Sequence, residues 1–256
     1  MEVFDRRDVQ QTQRLTPSES YAKDNKGHYA LPVPIDNRMR LTFASMTFFA
    51  LFRANRCFFV TYLLLLIAVG TLLIIYTKET LIRFVNEHNN PLGDALFPYL
   101  TYLGDGGFAI VVGMLILVVN RRAGWLILAS FAISGLISLF LKWVVFPERL
   151  RPLRYFEHSH WQYHLIKDLR INEYNSFPSG HTTSAFALYA MLAFLWRRKA
   201  WGWLGTLLGA VAGYSRVYLF QHFVEDTFAG SLLGLGTSVA VVLYYQKRFG
   251  ALPKLG

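Results

Sequence analysis

Six apolar runs of about 20 residues recur along this chain, each long enough to cross roughly 30 Å of hydrocarbon as a helix. Within a bilayer every backbone N–H and C=O has to be paired inside the protein, which leaves helix as the form open to such runs. They extend over Cys57 to Tyr76, Leu92 to Val119, Ala123 to Val145, Ser179 to Trp196, Trp201 to Tyr218 and Asp226 to Tyr245. A further apolar stretch, Leu41 to Phe52, is only a dozen residues long and is bracketed by Arg40 and Arg53, which suits a helix lying on the membrane surface. The polar segment before it lacks the apolar core and small-residue cleavage site of a signal peptide. The expected organisation is a cytoplasmic tail over residues 1–40 and one membrane domain over 41–256. The expected fold is all-α, a polytopic six-transmembrane-helix bundle.

The charge pattern orients that bundle. Apolar residues make up 54% of the chain and charged ones 16%, with a net charge of +10. Such an excess of cations could serve nucleic acid, yet the basic residues stand at the ends of apolar runs and form no single stripe. No nucleic-acid partner is expected. Lys and Arg in short connections are retained on the cytoplasmic side. Arg53 and Arg56, Arg121 and Arg122, Arg197 to Lys199, and Lys247 with Arg248 all fall on one side if six spans alternate. Both termini are then cytoplasmic, and Lys78 to Asn90, Pro147 to Pro178 and Phe220 to Glu225 face outward. Tryptophans near the predicted ends suit interfacial anchoring, and glycines such as Gly205, Gly209, Gly213, Gly230, Gly234 and Gly236 suit close helix packing. Cys57 is the single cysteine, which excludes an intrachain disulfide and a thiolate metal site.

Polar groups gather where the third to sixth runs meet the outer side: Lys142, Arg149 and Arg151; then Pro178-Ser179-Gly180-His181; then Ser215, Arg216, His222 and Asp226. This set resembles the type 2 phosphatidic acid phosphatase (PAP2) family, which shares a fold and site with bacterial acid phosphatases and vanadium haloperoxidases. The family's second motif, Pro-Ser-Gly-His, stands at Pro178 to His181. Its third, Ser-Arg, five residues, His, three residues, Asp, stands in full at Ser215, Arg216, His222 and Asp226. The first motif is less regular. The family usually has six residues between Lys and Arg-Pro, whereas eight separate Lys142 from Arg151-Pro152, and Arg149 has the usual distance but precedes Leu150. The role is assigned to Arg151, with Arg149 as the substitute. The resemblance implies a PAP2/haloperoxidase-like core.

These residue types suit phosphoryl transfer, in which negative charge spreads over three equatorial oxygens and fixed cationic donors carry much of the catalysis. Lys142, Arg151 and Arg216 can clamp the phosphate, the arginines as planar forks and the lysine as a point charge. Ser179 and the Gly180 N–H stand at a predicted helix start, where free amides favour an anion, and Ser215 completes the expected phosphate-binding set. The resemblance makes His222 the nucleophile, forming a phosphohistidine, and His181 the general acid. Asp226, four residues beyond His222, can hold its ring in one tautomer. The scheme calls for no metal and no cofactor. His158, His160 and His164 have no carboxylate or thiolate at regular ligand spacing, and they fit an outer loop that covers or gates the site. Asp105, within Leu103-Gly104-Asp105-Gly106-Gly107, is either a functional intramembrane acid or a solvated interfacial residue.

The function expected from these features is metal-independent hydrolysis of a lipid phosphate monoester or pyrophosphate. The resemblance implies phosphatidic acid, phosphatidylglycerol phosphate, undecaprenyl pyrophosphate or lipid A phosphate as candidate substrates. Phosphoryl transfer to another acceptor through the same intermediate is an alternative, as is a transporter or binder that recognises phosphate without chemistry. The expected setting is a bacterial inner membrane with a periplasmic site.

Overall fold

The computed structural model describes residues 48–167 and 169–256, and no strand occurs among them. In chain order, a short helical stretch, 48–54, leads into α1 (Arg56–Ile75), α2 (Lys78–Glu87), α3 (Pro91–Leu100), α4 (Gly106–Val119), α5 (Arg121–Phe140), α6 (Pro152–Tyr155), α7 (Gly180–Leu195), α8 (Gly202–Tyr218) and α9 (Val224–Phe249). A 3-10 turn, Thr101–Gly104, follows α3, and a π turn, Leu141–Val145, extends α5. The expected tail and the boundary at residue 40 lie outside the described residues. So does the first half of the surface helix expected over Leu41 to Phe52, whose remaining residues, 48–52, are helical.

α7 sits at the centre, packed against α5, α8 and α9. It is apolar on every side, with Phe186, Leu188, Met191 and Leu195 all buried, as befits a helix enclosed by others. α9 approaches it through glycines. A Cβ added at Gly234 would stand 2.4 Å from the Thr183 carbonyl oxygen, and one at Gly230 would stand 2.7 Å from that of Ser179. Gly236 departs from the expected packing role, because open space lies beside it. Ser238 of α9 ties the layers together, donating to the Ala187 carbonyl at 3.0 Å and meeting the Ser130 hydroxyl of α5 at 2.9 Å. Small residues and hydroxyl bonds are how helices associate where no hydrophobic drive separates protein from lipid.

The outer surface is strongly apolar, with Ile74 87% exposed, Val118 85% and Leu136 67%. Among the described residues three helical segments are long and apolar enough to cross a membrane: Arg56–Ile75, Arg121–Val145 and Val224–Phe249. The second predicted run departs from a straight helix. It divides at Asp105 into two arms bent by 52°, and these make a fourth crossing if they count as one span. Local chemistry explains the break. Pro98 lies within α3, glycines flank Asp105, and the Asp105 carboxylate starts α4 by accepting the Gly107 N–H at 2.7 Å. α7 and α8 coincide with the fourth and fifth runs at 16 and 17 residues, at or just below the shortest helix that crosses a bilayer.

Candidate active site

α8 ends at Tyr218 and the chain reverses before α9 starts at Val224. The reversal uses Phe220 in the left-handed region at φ 58°, which costs an L-residue about 1–2 kcal/mol. Burial of Phe220 with Ile82, Phe156, Val217 and Phe223 in a small apolar cluster offsets that strain. The turn carries His222 inward, with its N–H on the Arg216 carbonyl at 3.2 Å and only 1% of its surface exposed.

Asp226 lies in the first turn of α9 and directs one oxygen, Oδ2, at three donors. It accepts the Phe223 N–H at 2.9 Å and the Ser176 hydroxyl at 2.5 Å, and it lies 3.3 Å from His222 Nδ1. A carboxylate only accepts, so this contact puts the ring proton on Nδ1 and leaves the Nε2 lone pair free. Burial holds the pKa of His222 well below the ordinary histidine range, and the positive charges of Arg151, Arg216 and Lys142 push it further down. The ring is therefore neutral at physiological pH.

Those cations converge from separate elements. The π turn after α5 carries Lys142, whose Nζ donates to the Asn175 carbonyl at 2.8 Å. Arg151 is buried, with Nε on the Tyr174 carbonyl at 2.9 Å and Nη1 at 3.3 Å from both oxygens of Gln221. Arg149 instead stays half exposed and pairs with Glu225 at 3.4 Å, so it is Arg151 whose charge bears on His222. Arg216 donates through Nη1 to Thr101 Oγ1 at 2.9 Å, while its buried Nε has no partner among the described residues. A buried donor left open beside two other cations suits an anionic oxygen.

Ser179 caps α7, its hydroxyl oxygen taking the Thr182 N–H at 3.4 Å and the Thr182 hydroxyl at 2.9 Å, and its own N–H donates to the Asp226 carbonyl at 2.9 Å. The side of Gly180 is open, with nothing within 4 Å of an added Cβ. His181 stands one residue on, Nε2 being 3.7 Å from Asp105 Oδ2. The buried Ser215 donates its hydroxyl to the Ala212 carbonyl at 2.7 Å, within its own helix. Sequence reasoning missed Ser176, Thr101 and Gln221, which hold Asp226, Arg216 and Arg151 respectively; none lies at a motif spacing. It singled out Asp105 without placing it at the site.

The outer-loop histidines do not join this cluster. His158 is exposed, and His164 pairs with Asp94 at 3.0 Å beside the α2–α3 connection. The loop's aromatics, Phe156, Trp161 and Tyr163, stack around Phe220 and so lie on the turn that carries His222. Among the described residues no three His, Cys, Asp or Glu side chains gather as metal ligands would. A cavity of about 200 Å³ lined by Arg149, Tyr155, Ser176, Glu225 and Asp226 reaches the carboxylate from outside. An apolar cavity of about 340 Å³, lined among others by Tyr62, Leu66, Tyr214, Phe228 and Thr182, lies between α1, α2, α8 and α9.

The family model described as PAP2 superfamily matches residues 123–250, half of the chain. Undecaprenyl-diphosphatase BcrC of Bacillus subtilis is 27% identical over 148 residues, covering 57% of this chain and 72% of that protein. Phosphatidylglycerophosphatase B of the same organism is 27% identical over 192 residues, covering 69% and 87%. A crystal structure of a transmembrane PAP2-type phosphatidylglycerolphosphate phosphatase from Bacillus subtilis aligns with a TM-score of 0.55 at 24% identity, over 77% of this chain and 99% of that one, and supports the fold.

Proposed function

This chain belongs to the PAP2 superfamily, and from that premise we propose that it is an integral-membrane lipid phosphatase that hydrolyses a phosphate monoester or pyrophosphate through a phosphohistidine on His222. The observation that carries this reading is the buried, neutral His222, oriented through Nδ1 by Asp226 and faced by three cations. Nε2 attacks phosphorus in line with the leaving oxygen. Lys142, Arg151 and Arg216 neutralise the equatorial oxygens, with the Gly180 N–H as a further donor. His181 protonates the leaving oxygen, and water then cleaves the phosphorus–nitrogen bond.

Two further features support a lipid substrate. The apolar cavity of about 340 Å³ reaches Thr182, the neighbour of His181, and offers a path for a hydrocarbon chain. The relatives are named for amphiphilic phosphates, an undecaprenyl diphosphate and a phosphatidylglycerophosphate. We read the fold as six crossings, counting the bent α3–α4 pair as one and the short α7 and α8 as one each, with residues 1–40 as a separate tail. Both termini are then cytoplasmic, and the site opens outward, on the periplasmic side of a bacterial inner membrane.

The test is phosphate release by purified protein in detergent with EDTA, across phosphatidic acid, phosphatidylglycerol phosphate, undecaprenyl pyrophosphate and lipid A phosphate. Wild-type protein is expected to release phosphate from at least one, and His222→Ala to lose at least about a thousandfold in rate, the scale on which a missing nucleophile acts. Tight binding without release from any of them would oppose the hydrolytic reading in favour of transfer or binding.

A further inference from the structure

The break in the second apolar run places an acid inside the expected membrane domain, and an acid there is costly unless it is partnered. Asp105 is fixed at that break. Its Oδ1 accepts the Gly107 N–H at 2.7 Å, and its Oδ2 stands 3.7 Å from His181 Nε2. The residues before it are pinned to the catalytic helices. Thr101 accepts from Arg216 at 2.9 Å, the Leu103 carbonyl accepts the Tyr189 hydroxyl at 2.9 Å, and Gly104 lies so close to α7 that a Cβ would come within 2.7 Å of the His181 carbonyl oxygen. Charges facing His181 come from α8 (Arg216), the outer loop (Arg151) and the end of α5 (Lys142), and all three are positive. Asp105 is the carboxylate within ion-pairing distance of it among the described residues.

We propose that Asp105 is a positioning residue for the general acid: its carboxylate accepts Nε2–H of His181, which commits Nδ1 to the leaving oxygen and partly offsets the burial and the three cations that disfavour the imidazolium. The inference rests on the phosphohistidine reading and deepens it. As the His222 Nε2–phosphorus bond forms, the bond from phosphorus to the leaving oxygen breaks, and that oxygen takes the proton from His181 Nδ1. His181 is left neutral, with its remaining proton on Nε2 towards Asp105. Water then attacks phosphorus, its proton passes to Nδ1, and the phosphorus–nitrogen bond breaks to release phosphate. The gap of 3.7 Å is wider than a formed hydrogen bond and closes when the imidazolium forms.

The experiment compares kcat/KM for an alkyl phosphate, whose leaving oxygen needs a proton, with that for p-nitrophenyl phosphate, whose leaving oxygen does not. Asp105→Asn keeps the oxygen that caps α4 while removing the charge. It is expected to lose roughly tenfold to a hundredfold on the alkyl ester, no more than the smallest typical effect of a general acid itself, and several-fold less on the aryl ester. Asp105→Glu should recover part of the loss. In a His181→Ala background Asp105→Asn should add little, because the two act as one unit. Equal losses on both esters, or full additivity with His181→Ala, would overturn the proposal and leave Asp105 a helix cap. His222→Ala is run in parallel, and turnover of either ester by that variant would overturn the underlying reading instead.

Discussion

His222 combines almost complete burial with three neighbouring cations, and both favour the neutral ring over the imidazolium. A histidine whose folded pKa is depressed costs no stability above its unfolded pKa of about 6.5. As pH falls through that value the unfolded chain takes a proton that the folded site refuses, and stability drops by about 1.4 kcal/mol per pH unit until the folded pKa is reached. Urea unfolding in detergent between pH 8 and pH 5 should therefore show one more proton's worth of slope in wild type than in His222→Gln. Identical slopes would contradict a buried neutral His222. The pairing of His222 with Asp226 was legible in the sequence because the two stand one helical turn apart, a local geometry, whereas the nucleophilic role proposed for His222 came from the resemblance. Ser176, Thr101 and Gln221 were not, since each reaches its partner across 50 residues or more, and no local spacing encodes that contact. The ambiguity between Arg149 and Arg151 is of the same kind. Burial and partners separate them, with Arg151 turned to Gln221 and Arg149 to Glu225.

At the scale of elements, the apolar runs located every long helix to within a few residues, because the length of hydrocarbon to be crossed is written directly in hydropathy. Hydropathy did not reveal the break at Asp105. A Gly-Asp-Gly-Gly stretch barely lowers the mean over a window of this size, yet it removes helix propensity where α3 turns into α4. The glycines of α9 divide by the face they occupy. Gly234→Ala forces a methyl to within 2.4 Å of the Thr183 carbonyl, a backbone atom that cannot step aside. It should destabilise the fold by about 1–3 kcal/mol, the usual cost of overpacking. Gly236→Ala meets open space and should be neutral or slightly stabilising. Thermal unfolding of the two variants in the same detergent checks the difference, and equal effects would mean that α7 and α9 do not pack as closely as described.

At the scale of the whole molecule, the proposed six crossings would put the basic connections on one side and the site on the other. Sidedness is testable because Cys57 is the single cysteine. In a Cys57→Ser background, a cysteine replacing the exposed His158 should react with a membrane-impermeant maleimide in intact spheroplasts, whereas one replacing the exposed Arg198 should react only after lysis. Labelling of both, or of Arg198→Cys alone, would reverse or break the topology. A covalent phosphohistidine on His222 is open to direct trapping by rapid quenching of a reaction with ³²P-labelled lipid phosphate. The expected result is protein-bound label that is stable to alkali, labile to acid and absent from His222→Ala. Turnover with no bound label at any quench time, or label that persists in His222→Ala, would contradict it.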